Sequence, residues 1–148
     1  MGDCCLEKAE DSRQEKLPVL ECRQCQGLMK PIHRNVLIHQ VTSPLNQSIP
    51  VETFFFCSEI SCPVVYFSPS GFVVETSDMR YAVSEKSACE ERTICYCYGI
   101  TYSQVVNEIA KKGRSASKAF VIEQTQLKNC ACDVRNPSGR CCLKEFPK

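Results

Sequence analysis

The cysteines constrain this chain more than any other feature, because they come in closely spaced sets. These are Cys22-x2-Cys25, Cys57-x4-Cys62, Cys95-x-Cys97, and a downstream group of Cys130, Cys132, Cys141 and Cys142. Thirteen cysteines stand in 148 residues. Such density means disulfides in an oxidising compartment or thiolate ligands in a reducing one. The N-terminus, Met1-Gly2-Asp3-Cys4-Cys5-Leu6-Glu7-Lys8, is polar and lacks the apolar stretch of a secretory signal. No apolar run approaches the roughly 20 residues that span a bilayer. An odd count also leaves one thiol over in any pure disulfide scheme. The expectation is a cytoplasmic metal-binding protein without membrane insertion.

Charge is divided unevenly along the chain. Residues 1–92 hold 9 Lys/Arg against 13 Asp/Glu, and residues 93–148 hold 9 against 4. A basic C-terminal half is one mark of nucleic-acid binding. Here the basic residues are scattered and form no Arg/Lys-rich run, so the excess reads instead as compensation for a thiolate-bound centre, with no nucleic-acid partner. No acid/base pair and no Ser/His/Asp set stands out, which excludes a hydrolase.

Residues 1–17 read as a polar tail carrying Cys4 and Cys5. Residues 18–83 read as one module, 84–93 as a charged linker without apolar period, and 94–148 as a second module. In the first module, Val36-Leu37-Ile38, Val41, Val51 and Phe54-Phe55-Phe56 read as strands, broken by Pro44, Asn46 and Pro50. Val64–Phe67 and Phe72–Val74 flank Ser68-Pro69-Ser70-Gly71, which predicts a β-hairpin. In the second module, Thr101 and Gln104 form a capping-box pair. Val105, Val106, Ile109 and Ala110 then give one apolar face, and Lys111, Lys112 and Gly113 close the helix. A second helix is expected to start at Ser115 or Ser117 and pass through Phe120, Val121 and Ile122. A short third helix is expected after Gly139.

Cys22-x2-Cys25 and Cys57-x4-Cys62 are two knuckles, each able to turn both sulfurs toward one ion. Two knuckles make a closed tetrahedral Cys4 site, the preferred arrangement of structural zinc. A module of about 70 residues buries little apolar surface, and a metal staple supplies the missing stability. The competing reading, a redox CxxC, needs the start of a helix in a βαβ unit, and none is visible. His33 and His39 lack knuckle spacing and read as ordinary strand or loop histidines.

Cys95-x-Cys97 is too tight for a zinc knuckle. It suits two sulfurs on a single iron of a two-iron cluster, with the capped helix following. Asn136-Pro137-Ser138-Gly139 has the residue order of a type I turn and separates Cys130 and Cys132 from Cys141 and Cys142.

These stretches together resemble the N-terminal domain of CopZ-type copper chaperones. The residues that carry the resemblance are Phe56-Cys57 to Cys62 leading into Val64-Val65-Tyr66-Phe67, then Cys95-Tyr96-Cys97, and Asn136-Pro137-Ser138-Gly139-Arg140-Cys141-Cys142. The second module is also similar to bacterioferritin-associated ferredoxin. The resemblance implies zinc on Cys22, Cys25, Cys57 and Cys62. It implies a [2Fe-2S] cluster on Cys95, Cys97, Cys132 and Cys142. Cys132 is chosen because the family ligand lies four residues before the turn Asn, and Cys142 because the family uses the second cysteine of the pair. Cys130 has no counterpart.

The fold class expected is α+β, a small β-rich zinc-binding module followed by a small helical [2Fe-2S]-binding module. The family's copper-binding domain is marked by Met-x-Cys-x-x-Cys, which this sequence lacks, so copper delivery is not carried over. What the resemblance implies is one-electron transfer or copper reduction linked to copper handling. Its partners would be a copper ion and a copper-binding domain or copper-transporting ATPase. Two further functions compete: Cu(I) binding or trafficking by thiols including Cys4, Cys5, Cys89, Cys130 and Cys141, and a non-redox structural or regulatory role.

Overall fold

A computed structural model describes residues 18–148; the expected tail, with Cys4 and Cys5, lies outside the described residues. The chain is α+β, with strands concentrated in the first half and helices in the second. Five strands, β1 (Leu20–Glu21), β2 (Leu28–Ile32), β3 (Phe54–Phe56), β4 (Val64–Phe67) and β5 (Val73–Glu75), form one antiparallel sheet in chain order. The predicted hairpin is β4–β5, with Phe67 opposite Val73 and Tyr66 opposite Val74. Gly71 N–H closes its turn onto the Ser68 carbonyl at 3.1 Å.

Strand alternation sends successive residues to opposite faces of the sheet, so each face carries its own core. Phe54, Phe56, Tyr66 and Val74 pack with Val36 and Leu37 on one face. Phe55, Phe67 and Met29 pack on the other with the thiols of Cys22, Cys57 and Cys62. Phe55 and Phe67 stack there with centroids 5.8 Å apart.

One expected strand is a helix. Residues Arg34–Gln40 form α1, with His33 at its N-cap. The Nδ1 of His33 accepts the Asn35 N–H at 3.2 Å. Val36, Leu37 and Gln40 are buried, a spacing of one helical face rather than of a strand. Burial against the sheet overrides the β preference of the Val-Leu-Ile run. His33 is thus a cap in the loop before α1, within the strand-or-loop expectation, whereas His39 lies in the helix, which corrects that expectation for His39.

The second half holds a small antiparallel pair, β6 (Thr93–Cys95) and β7 (Ile100–Thr101), and the helices α2 (Tyr102–Lys112), α3 (Ala116–Gln126) and α4 (Cys132–Arg135). A 3-10 turn at Cys142–Glu145 stands where a third helix was expected. Thr101 Oγ1 accepts the Gln104 N–H at 3.3 Å, but Gln104 Nε2 turns to Ser117 Oγ at 3.0 Å instead of completing the box. Gly113 ends α2 at φ 70°, and its N–H donates to Ile109. Ser115 caps α3. Ile94, Ile100, Val105, Val121 and Phe146 form a core that includes the thiols of Cys95, Cys132 and Cys142.

The loop between Cys132 and Cys142 packs on the first half. Helix α1 lies against α4. Gln40 Nε2 donates to the carbonyls of Val134 and Arg135 at 3.0 and 2.7 Å. A Cβ at Gly139 (φ 67°) would stand 3.3 Å from both Ile32 and Val36, so only glycine suits that turn position. Residues 84–93 include a 3-10 turn, Ser84–Lys86, with Ser84 buried.

Candidate metal centres

The first centre is built by two turns on the sheet. After β1, Cys22 N–H donates to the Gly27 carbonyl at 2.9 Å, and Gln26 N–H to the Cys22 carbonyl at 2.7 Å. Gln26 takes up the left-handed conformation, φ 63°, that closes this turn. Cys57 directly follows β3, where its N–H pairs with the Val65 carbonyl, and Cys62 N–H turns back to Glu59. The four sulfurs of Cys22, Cys25, Cys57 and Cys62 lie within 4.8 Å of one another. The Cys22–Cys62 and Cys25–Cys57 separations are 4.0 and 3.7 Å. A tetrahedral thiolate cage with metal–sulfur bonds near 2.3 Å has edges of about 3.8 Å. The donor set therefore fits a four-coordinate zinc ion.

Burial pushes the Cys57 thiol up to about 12, partly offset by the backbone of Glu59 and the charge of Lys86. Burial likewise raises Cys62. At Cys22 burial acts upward too, but backbone hydrogen bonds at Cys25 and Gln24, aided by the neighbouring thiols, outweigh it and the thiol is lowered. Lys86 is a contributor that cysteine spacing did not reveal: its Nζ donates to Cys57 Sγ at 3.4 Å and to the Glu59 carbonyl at 2.7 Å. Neither His33 nor His39 belongs to the four-sulfur group.

The second set has a different shape. Cys95 ends β6, Cys97 lies in the turn before β7, Cys132 opens α4 and Cys142 opens the last 3-10 turn. Cys95, Cys132 and Cys142 are buried and Cys97 is half-buried. The thiol of Cys142 neighbours those of Cys95 and Cys132, and Cys132 neighbours Cys97, closely enough that each alters the other's ionisation. Each of the four therefore borders others of the set. Among the described residues, they do not close into a single-ion cage like the first. Backbone donors face the sulfurs. Ala131 N–H points at Cys97 Sγ at 3.2 Å, and the backbones of Tyr98 and Cys142 serve Cys95 and Cys132. Hydrogen bonding from Cys142 holds Cys95 down to about 7 and Cys132 down to about 6, while Cys142 itself is pushed far up. Burial raises Cys97 to about 11. Three buried thiols and a half-buried fourth, with the Ala131 amide aimed at Cys97, form a donor set of the chemistry that iron–sulfur groups use.

Cys130 and Cys141 are half-buried like Cys97, and Cys130 neighbours Cys132 closely enough to affect its ionisation. Cys89 is exposed. Tyr96, between Cys95 and Cys97, donates its hydroxyl proton to the Ala82 carbonyl at 2.7 Å and accepts the Ser84 N–H at 3.0 Å. Nothing in the spacing of the sequence pointed to that link. Among the described residues, no helix is long and apolar enough to cross a membrane.

Residues 20–80 match a CopZ-type family model described as a zinc binding domain. The copper chaperone CopZ of Archaeoglobus fulgidus is 37% identical over 89 residues, which is 60% of this chain and 42% of the relative. The chain thus spans less than half the length of that curated relative. The X-ray structure of the Archaeoglobus fulgidus CopZ N-terminal domain superposes with a TM-score of 0.70 at 29% identity, covering 87% of this chain and all of that one. The chain is homologous to that N-terminal domain, and the expected resemblance holds in both sequence and fold.

Proposed function

We propose that this chain is a copper-handling metalloprotein in which one metal holds the fold and the other does the chemistry. Zinc on Cys22, Cys25, Cys57 and Cys62 is the structural ion of a module over residues 18–83. A [2Fe-2S] cluster on Cys95, Cys97, Cys132 and Cys142 occupies a module over residues 94–148. The observation that carries this reading is the second thiol set, with Cys95, Cys132 and Cys142 buried and the N–H of Ala131 at 3.2 Å from Cys97. When bound, such a cluster supplies reversible one-electron transfer. The protein's own part is to bury Cys95, Cys132 and Cys142, aim amides at the sulfurs, and leave Cys97 half-exposed at one edge.

The link to copper draws its support from the relative's printed name, copper chaperone. That name supports the alternative, Cu(I) binding or trafficking, better than it supports redox work, with a copper-binding domain or copper-transporting ATPase as partner. Cys130 and Cys141, half-buried, are the thiols on which a soft ion would be caught.

Anaerobic purification with metal and sulfide analysis tests the reading. The expected result is a red-brown protein with about one zinc, two irons and two sulfides per chain. A colourless protein that holds only zinc after anaerobic reconstitution refutes the cluster. Stoichiometric Cu(I) uptake by that colourless protein, abolished in a Cys130→Ser/Cys141→Ser variant, would move the function to copper trafficking.

A further inference from the structure

The second thiol set opens to solvent at a cavity of about 430 Å³, lined by Cys97, Tyr98, Lys128, Asn129, Cys130, Ala131 and Arg135. Lys128 and Arg135 are its charged lining residues, and both are exposed. Glu123 and Asp133, the nearest acidic residues in sequence, lie outside the lining.

Apolar surface adjoins this opening. Tyr98 meets Phe120 edge to face with centroids 5.0 Å apart. Phe120 is 43% exposed and Leu127 66% exposed, seven residues apart on and just after α3, hence on one helical face. Through Tyr98, which lines the opening, Phe120 extends apolar surface outward from its edge.

Lys128 is held in place. It adopts φ 55°, a left-handed conformation that costs a non-glycine residue energy. Its N–H bonds to Thr125 and that of Asn129 to Gln124. The Tyr98 hydroxyl donates to the Asn129 carbonyl, and Asn129 Nδ2 to Gln124 Oε1. The strain is thus carried by a hydrogen-bonded network that ties Lys128 to the residue after Cys97.

We propose that this face, the Cys97/Cys130 opening with Lys128, Arg135, Phe120 and Leu127, is the docking surface for an acidic protein partner that exchanges electrons with the second centre. The proposal rests on the [2Fe-2S] reading for its purpose, but not for its electrostatics. Two exposed cations rimming the opening speed the approach of an anionic surface and repel a cationic one. The apolar pair favours a protein face over a phosphate backbone.

The test uses small probes of opposite charge on the anaerobic, zinc- and cluster-loaded protein. Ferricyanide, an anion, and hexaamminecobalt(III), a cation, each take one electron from the reduced cluster, and stopped-flow spectroscopy reads both rates. In parallel, mass spectrometry reads alkylation of Cys130 by anionic iodoacetate relative to neutral iodoacetamide, a ratio that needs no cluster. Lys128→Glu/Arg135→Glu should lower the ferricyanide rate and the iodoacetate ratio by roughly tenfold, and raise the cobalt rate. Lys128→Asn/Arg135→Gln, milder and compatible with the left-handed backbone, should give the same direction if the reversal fails to fold. An unchanged alkylation ratio overturns the proposal. A changed ratio in a protein that never forms a cluster keeps the anionic docking face and refutes only the [2Fe-2S] reading. A Glu/Leu-rich peptide should protect Cys130 from iodoacetamide, and better protection by an RNA oligonucleotide of equal charge would overturn the choice of a protein partner.

Discussion

The hydroxyl of Tyr66, fully buried on β4, donates to the carbonyl of Pro137 at 2.5 Å across 71 residues of sequence. Pro137 belongs to the turn between Cys132 and Cys142, so one hydrogen bond ties the sheet of the first half to the loop that carries two candidate ligands of the second. Tyr66→Phe should cost about 1–3 kcal/mol, because it leaves a buried carbonyl without a partner. Chemical denaturation of the metal-loaded protein checks this, and an unchanged midpoint would show that the loop is held by Gln40 and Gly139 alone.

Lys86 should strengthen zinc retention. Its ammonium lies 3.4 Å from the Cys57 sulfur, where a positive charge favours the thiolate that the metal needs. Lys86→Met should release zinc to a chromogenic chelator severalfold faster than the wild type. Cys57→Ala should abolish zinc binding and lower the melting temperature of the first module, since ligand bonds there are folding energy. Equal zinc release from wild type and Lys86→Met would assign the lysine only to its bond with Glu59.

Cys132→Ala and Cys142→Ala should abolish the visible absorption of the loaded protein, whereas Cys130→Ala and Cys141→Ala should retain most of it. The reason is burial: Cys132 and Cys142 belong to the second core, and Cys130 and Cys141 are only half-buried. Because Cys130 neighbours Cys132, the Cys132→Ala/Cys130→Ala double variant is the control for ligand replacement. A cluster that survives Cys132→Ala but is lost in the double variant would make Cys130 an alternative ligand.

Glu85 should make the fold less stable as pH rises. Burial, with repulsion from Glu145, raises its carboxyl above the usual 4.5, and Arg140 and Ser138 only partly oppose this. One of its oxygens, Oε2, is buried without a partner among the described residues. A raised acid stabilises the fold fully below its unfolded value and loses that contribution as pH climbs through the raised one. Glu85→Gln should therefore raise the melting temperature at pH 7, with a gain that shrinks toward pH 5. A constant gain across that range would mean that side-chain packing, not ionisation, is responsible.

Much of this protein was legible in the sequence because it is decided within a few residues. Thiols with two or four residues between them share one tight turn, so the Cys22–Cys25 and Cys57–Cys62 pairs followed from spacing. Helix α2 could be bounded from Thr101 to Gly113 because caps satisfy backbone groups three or four residues away. The β4–β5 hairpin followed from the Pro and Gly of its turn. Tertiary structure alone decided the rest. Val36, Leu37 and Ile38 have strand-forming character, yet they form a helix because only a helix buries Val36, Leu37 and Gln40 against the sheet. Helix α4 had no local signal, and is held by Gln40 from 94 residues away. Which thiol of each pair, Cys130 or Cys132, Cys141 or Cys142, turns inward depends on the core that Ile94, Val105 and Phe146 build around them. The Lys86–Cys57 and Tyr66–Pro137 contacts join groups with no short-range pattern between them, and such contacts exist only once the chain has folded and brought them out of water together.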